Sequence, residues 1–315
     1  MVTVFHSGEL ALQTQSRVDQ RAHKIGNALI RDHIIDQHKE FFENLPYVFL
    51  ALHDKQGRPW LSVMQGVPGF ITSPEPKILK LKGEVIARHD LGLDIGANKS
   101  VGVVGLDLST RRRNRLNGKF DGGHAASISI NVEHSFGNCP KYIQQRYLDT
   151  NEDAPQSDHS SPNLKHRFAK FSQADIELVE ESDTLFIASS KEIGGDLDAS
   201  HRGGKPGFVR VVNDKQLWFK DYPGNNFFQT FGNIHRHPNI GLTFIDFNNG
   251  DLLLLCGKAR LVKGEFVESS TKNDQNPFLE RRLHFTLTQG LRVKAAIKGR
   301  WSSAEMSPFL GDDLN

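Results

Sequence analysis

Cysteine is scarce in this chain of 315 residues, which has only Cys139 and Cys256. The two are far apart in the sequence, so they form neither a metal-ligand spacing nor a redox motif. Residues 1–12 do not read as a signal peptide, and lone thiols in such chains typically stay reduced, so we expect no disulfide. His235 and His237 would diverge on a helix, and we predict no metal site.

Long apolar runs and an excess of one charge are also missing. The longest apolar run, residues 252–256, suits a buried strand and falls far short of the roughly 20 residues that span a bilayer. Lysine and arginine number 39 and aspartate and glutamate 37, a balance that argues against a dedicated nucleic-acid binder. We therefore expect a cytoplasmic protein that binds neither membranes nor nucleic acids.

The apolar pattern predicts helices followed by two sets of short strands. Residues 16–44 have roughly helical spacing, interrupted at Gly26, which indicates one or two amphipathic helices. Strand-like runs begin at residue 47, stop before a segment rich in Asp, Ser, Asn and Pro, and resume at residue 184. We predict N-terminal helices and a first module over residues 1–148, a linker over 149–165 and a second module over 166–315.

Short motifs of the first half return in the second half at a nearly constant spacing. Residues 68–70 and 206–208 both read Pro-Gly-Phe, 138 residues apart. Four further pairs are 139 residues apart: Gly102 and Gly241, Asp107 and Asp246, Gly118 and Gly257, and Lys119 and Lys258. Turn preferences explain single matches but not a shared register. We predict an internal duplication whose two copies pack as a pseudo-dimer.

Two polar, glycine-rich segments of the second half are candidates for an anion site. Residues 198–208 combine two cations, hydroxyl and imidazole donors and three glycines, although a hairpin loop with solvated charges is an equal alternative. Residues 221–226 precede a predicted helix over 227–236, where backbone donors suit phosphate. Asn226 is alternatively a helix N-cap, and Thr230 either adds a hydroxyl or packs at the surface. The candidates are Ser200, His201, Arg202, Lys205, Gly207, Phe208, Asp221, Tyr222, Gly224, Asn225, Asn226 and Thr230.

Several motifs together resemble a known family. They are residues 200–208, Pro223-Gly224-Asn225, residues 232–242, residues 57–60, residues 110–118 and, most distinctive, Phe-Gly-Asn-Cys-Pro-Lys-Tyr-Ile-Gln at 136–144. This combination resembles the two-module flavin-nucleotide-binding proteins related to pyridoxamine 5'-phosphate oxidase. The resemblance implies a mainly β fold with flanking helices, in which tandem FMN-binding split barrels form a pseudo-dimer. It also implies that FMN is held by its phosphate where the barrels meet.

The implied phosphate loop departs from the oxidase pattern. The oxidases have a Ser-Arg-Lys type of loop, whereas this chain has Gly224-Asn225-Asn226 and so lacks two cations. Arg202, Lys205 or arginines of the other module would have to supply that charge. The resemblance therefore supports FMN binding more strongly than it supports the oxidation of pyridoxamine phosphate. We expect an FMN-dependent oxidoreductase acting on a small molecule; a flavin carrier or sensor, or a barrel for haem or a deazaflavin, are the alternatives.

An arginine-rich run in the first half is a further candidate anion contact. If residues 111–115 form a strand, Arg111, Arg113 and Arg115 share one face and Arg112 takes the other. A solvated edge, a flavin or substrate contact across the pseudo-dimer, and an RNA contact all remain open. Cys139 is either a nucleophile beside the flavin or a buried structural residue. We expect one flavin per chain, in the second module; whether the chain pairs as a homodimer is open.

Overall fold

Two β-sheets and six helices form the fold in a computed structural model, which describes residues 4–122, 127–150, 165–267 and 278–310. Most of the predicted linker, residues 151–164, lies outside these ranges. The first sheet contains β1 (Tyr47–His53), β2 (Pro59–Gln65), β3 (Ile71–Glu75), β4 (Ile78–Lys82), β5 (Ser100–Asp107), β6 (Arg112–Phe120) and β7 (Ser127–Asn138). The second contains β9 (Lys165–Phe168), β10 (Thr184–Ser190), β11 (Leu197–Gly203), β12 (Val209–Asn213), β13 (Gln216–Lys220), β14 (Asn239–Ile245), β15 (Leu252–Val267) and β16 (Phe278–Val293). Two short strands, β8 (Leu148–Asp149) and β17 (Arg300–Trp301), pair with each other.

The two sheets have the same strand order. The first runs β2-β1-β5-β6-β7-β4-β3 and the second β11-β10-β14-β15-β16-β13-β12, with β9 added beside β16. The two orders correspond position by position, so that β10 takes the place of β1, β15 that of β6 and β16 that of β7. The registers agree as well, because a β-bulge precedes both Gly118 and Gly257 in their pairings. The predicted fold class, a mainly β chain of two split-barrel modules, is confirmed.

The modules pack face to face around equivalent residues. Phe49 of β1 and Phe186 of β10 stack with ring centroids 3.6 Å apart, and all seven residues of each strand are buried. Glycines on the next strands admit the facing backbone. A Cβ atom on Gly102 would lie 2.7 Å from the nitrogen of Ala199, and one on Gly241 would lie 2.7 Å from the Cα of Trp60. Close backbone contact therefore occurs on both sides of the pseudo-dimer.

Helices cover the sheets, and the first of them reaches the second module. The helices are α1 (Ser7–Gln15), α2 (Asp19–Leu29), α3 (Asp36–Glu43), α4 (Arg88–Leu91), α5 (Gln173–Glu181) and α6 (Gln229–Arg236). Two of them, α2 and α3, lie within residues 16–44, as the expectation of one or two helices there allowed, although α2 continues through Gly26 without interruption. The ring of His6, which caps α1, lies 3.0 Å from Asn233 of α6. No described helix is long and apolar enough to cross a membrane.

We predict that Gly102→Ala and Gly241→Ala each destabilise the fold by about 1–3 kcal/mol, the usual range for overpacking. The added methyl group would press on the facing backbone of the other module, which cannot rotate away as a side chain can. Denaturant unfolding of each variant measures the loss. Gly224→Ala is the control, because its Cβ would have no atom within 4 Å. Equal stability of all three variants would contradict the close contact.

Candidate functional site

A cleft with two lobes lies where the modules meet. The large lobe has a volume of about 790 Å³ and the small lobe about 60 Å³. Five residues line both lobes and so form their common wall: Arg115, Arg202, Tyr222, Gly224 and Asn225. The two segments singled out in the sequence, residues 198–208 and 221–226, therefore meet in one cleft.

Most of the predicted site residues line this cleft. Ser200, His201 and Phe208 line the small lobe, and Asp221, Asn226 and Thr230 line the large lobe. Lys205 and Gly207 line neither. They belong to the turn after β11, in which the carbonyl of Lys205 accepts from the nitrogen of Phe208 at 2.9 Å and Gly207 has φ +86°. Lys205 therefore does not supply the charge missing from the loop.

The loop over residues 221–228 is held by backbone conformation and by side-chain bonds. The proposed N-cap role of Asn226 is wrong, because α6 begins at Gln229, and Phe228 precedes it in the left-handed region without a side-chain cap. Asn225 instead accepts from the nitrogen of Phe227 at 3.1 Å, and Tyr142 donates to the carbonyl of Pro223 at 3.1 Å. The asparagine and glycine groups thus stay along the cleft wall.

The first module contributes two arginines to the cleft. Arg113 and Arg115 lie two residues apart on β6 and both line the small lobe, as the alternation predicted. Arg113 donates to the carbonyl of Cys139 at 3.1 Å, and Arg115 donates to the carboxylate of Asp198. Arg111 does not line either lobe. It precedes the strand with φ +55° and pairs with Glu305 at 3.0 Å.

Residues that the sequence did not single out complete the cleft. Arg281 of β16 is 4% exposed, lines the large lobe and donates to the hydroxyl of Ser16. Leu279 and Leu283 on either side of it are also buried, so its inward position in the strand's alternation was the signal for it. The remaining wall of the large lobe includes Thr14 and the α1–α2 joint, defined as residues 16–21.

Positive charge in the cleft exceeds the nearby negative charge. The described lining of the small lobe includes five cationic side chains and no carboxylate: Arg113, Arg115, Lys141, Arg202 and Lys220. The Nε atoms of Arg113, Arg115 and Arg202 and the Nε2 atom of His201 are buried without a hydrogen-bond partner among the described residues. Unpaired buried donors of this kind are costly, so the arrangement suits a bound anion.

Burial and mutual repulsion lower the basicity of these groups. The pKa of Arg113 falls to about 10 through desolvation and the charge of Arg202. Desolvation, followed by Arg113 and Arg202, places the pKa of His201 well below 6.5, so this imidazole is neutral at pH 7. Burial also raises the pKa of Asp221 to about 6, against the opposing effect of Arg202 and Arg281. An anion bound here would relieve the repulsion between the arginines.

The equivalent position on the other side of the pseudo-dimer is apolar. By strand register, Leu254 and Trp60 replace the ion pair of Arg115 and Asp198. Leu252 and Val63 likewise replace Arg113 and His201. These four residues are at most 1% exposed and belong to one hydrophobic core. At these four positions, the charged side chains of the cleft therefore have apolar counterparts on the other side of the pseudo-dimer.

Of three comparisons with known proteins, the comparison with solved structures gives matches and the other two give none. No family model matches the chain, and no curated protein matches it. Among solved structures, a putative pyridoxamine 5'-phosphate oxidase from Lactobacillus delbrueckii is similar at 12% identity and a TM-score of 0.29, over 39% of this chain and 94% of its own. An FAD-binding protein from Mesorhizobium loti is similar at 9% identity and a TM-score of 0.28, over 41% and 98%.

A third similar structure is HupZ from Group A Streptococcus, at 14% identity and a TM-score of 0.28, over 38% of this chain and 98% of its own. Oxidase-related proteins are thus among the matches, as the sequence resemblance predicted. Matches at TM-scores this low carry no argument about the chain, and no residue role is taken from them. Within the described ranges no group of three or more His, Cys, Asp or Glu side chains is placed to hold a metal ion.

We predict that the free energy of unfolding of Asp221→Asn, relative to that of the native chain, increases by about 2 kcal/mol between pH 4 and pH 7. Because the folded-state pKa of Asp221 is raised from 3.8 to about 6, the stability from its bound proton is complete below pH 4 and lost as the pH rises through 6. The amide does not titrate and escapes this loss. Urea unfolding of both proteins at several pH values measures it. A difference independent of pH would contradict the burial of Asp221.

Proposed function

We propose that this cleft binds FMN, with the phosphate in the small lobe and the ring system in the large lobe. The observation that carries the proposal is the small lobe itself, where five cations and no carboxylate surround about 60 Å³. A phosphate monoester has close to two negative charges at neutral pH and three acceptor oxygens. The buried, unpartnered Nε atoms of Arg113, Arg115 and Arg202 are donors of the kind such a group needs.

The large lobe fits the rest of the cofactor. Its volume of about 790 Å³ lies within the usual range for cofactor sites. Tyr222, Phe228 and Phe231 supply aromatic walls, and the guanidinium of Arg202 lies 5.1 Å from the centroid of Phe231. Two adjacent lobes, one charged and one wide and aromatic, match a molecule with a phosphate at one end and a flat ring at the other.

The charge missing from the loop would come from the first module. Gly224, Asn225 and Asn226 offer backbone and amide groups but no cation. Arg113 and Arg115 reach the small lobe from β6, and Gly224 and Asn225 line that lobe as well. In this proposal a phosphate-binding loop of one module is completed by a strand of the other. Two modules in one chain are then necessary for the site, which accounts for the pseudo-dimer.

We infer that the chain is an FMN-dependent oxidoreductase that acts on a small molecule. Bound FMN would supply the hydride or electron transfer, and the chain would bind and orient it. The neutral imidazole of His201, 3.1 Å from Arg113, lines the small lobe and would contact the cofactor's phosphate there. Anaerobic reduction of the FMN-loaded protein, followed by timed reoxidation with a small acceptor, tests this inference. Reoxidation no faster than that of free reduced FMN would indicate a carrier or sensor.

Arg202→Ala should weaken FMN binding by about 1.5–3 kcal/mol, the range for a hydrogen bond to a charged group. The reason is that Arg202 lies in the wall shared by both lobes, where its side chain meets the proposed phosphate. Fluorescence titration of flavin-free protein measures the dissociation constant. Arg210→Ala removes an exposed arginine of β12 and serves as the control. Unchanged affinity for Arg202→Ala would remove this residue from the site.

The apolar packing around Leu252 and Leu254 predicts one FMN per chain. Absorbance of the saturated, desalted protein at flavin and protein wavelengths gives the ratio. A ratio of two would show that the apolar side of the pseudo-dimer also opens for the cofactor. That result would contradict the one-sided site.

A further inference from the structure

We propose that the start of α2 is a carboxylate subsite in the large lobe, so that the substrate of this cleft carries a carboxylate group. The subsite rests on the proposed function, because the substrate would lie beside the flavin ring in that lobe. Two independent features of the lobe point to it. One is the N-terminus of α2, and the other is the buried side chain of Arg281.

The first turn of α2 borders the large lobe. Val18, Asp19, Gln20 and Arg21 all line it, and within the described residues no side chain caps this helix end. The first N–H groups of a helix lack partners inside the helix, and the helix dipole adds partial positive charge there. An uncapped N-terminus that faces a cavity is therefore suited to bind an oxyanion.

Arg281 points to the same place from the opposite element. Its guanidinium donates to Ser16, three residues before α2, and its Nε atom is buried without a partner among the described residues. Asp221, the nearest carboxylate, is 4.0 Å from this guanidinium. The Nη1 group of Arg281 also donates to the carbonyl of Leu279 at 3.4 Å, so Nε is the donor that remains for a carboxylate. The N-terminus of α2 and the guanidinium of Arg281 thus both border the large lobe.

The region has charged groups of both signs. Apart from the wall shared with the small lobe, the charged residues that line the large lobe are Arg17, Arg21, Arg281, Asp19 and Asp221. Among them, Arg281 has a buried Nε atom without a partner in the described part of the chain. A carboxylate would satisfy this donor, whereas the guanidinium would repel a cationic amine.

The substitution Gln20→Glu should have opposite effects on anion binding and on the stability of α2. A glutamate in the first turn favours the helix but repels an anion in the lobe. Residues 36–37 offer a matched control, because α3 also begins with Asp-Gln, also lacks a side-chain cap within the described chain and borders none of the described cavities. Gln37→Glu therefore makes the same change at the same helix position, away from the proposed subsite.

The probes are benzoate and its neutral analogue benzamide, titrated into the FMN-loaded protein while the flavin absorbance is followed. We expect benzoate to bind at least ~10-fold more tightly than benzamide. Gln20→Glu should weaken benzoate binding about 5- to 10-fold and benzamide binding by much less. Gln37→Glu should change neither dissociation constant. Equal binding of the two probes, or equal effects of the two variants, would overturn the subsite.

Failure of the proposed function has a separate signature. If the chain binds no FMN, calorimetric titration of the flavin-free protein with both probes tests the subsite alone. A preference for benzoate that Gln20→Glu abolishes would then support a carboxylate subsite without a flavin. The absence of that preference would overturn the subsite.

Discussion

Buried arginine charge at the junction of the modules is the constraint on which the rest of the site depends. Charged groups removed from water are expensive unless they are paired, and here Asp198 and Asp221 are the carboxylates close to four arginines. Arg113 and Arg115 belong to β6, Arg202 to β11 and Arg281 to β16. The arrangement persists because the sheets fix these strands, and it leaves donors available for an anion.

The scaffold is symmetric, but the chemistry is not. Equivalent strands pack through Phe49 and Phe186 and through Gly102 and Gly241, and the two sheets share one strand order. On one side Arg115 pairs with Asp198, and on the other Leu254 and Trp60 fill the equivalent space with core. The second side thus contributes stability through apolar burial, while the first accepts the cost of buried charge that a binding site requires.

Much of the architecture was readable from the sequence, and the errors have physical causes. The constant spacing of motifs predicted two modules of one topology, because glycines at a bulge and at the module contact cannot vary freely. Alternation predicted the shared face of Arg113 and Arg115. The misplaced start of α6 arose because Phe228 adopts a left-handed conformation that its residue type does not suggest. The α1–α2 joint was missed because it reaches the cleft only through tertiary packing. Arg281 was missed although it alternates with Leu279 and Leu283, which are also buried.

The most direct test of the central claim compares FMN with riboflavin, which differ only in the phosphate. Dissociation constants for both should be measured with the same flavin-free protein at two salt concentrations. If the arginines bind the phosphate, FMN should bind at least ~100-fold more tightly than riboflavin, which corresponds to about 2.7 kcal/mol, and this difference should shrink at high salt. Equal affinity for the two flavins would show that the buried arginines do not bind the phosphate, and would contradict the assignment of the cleft.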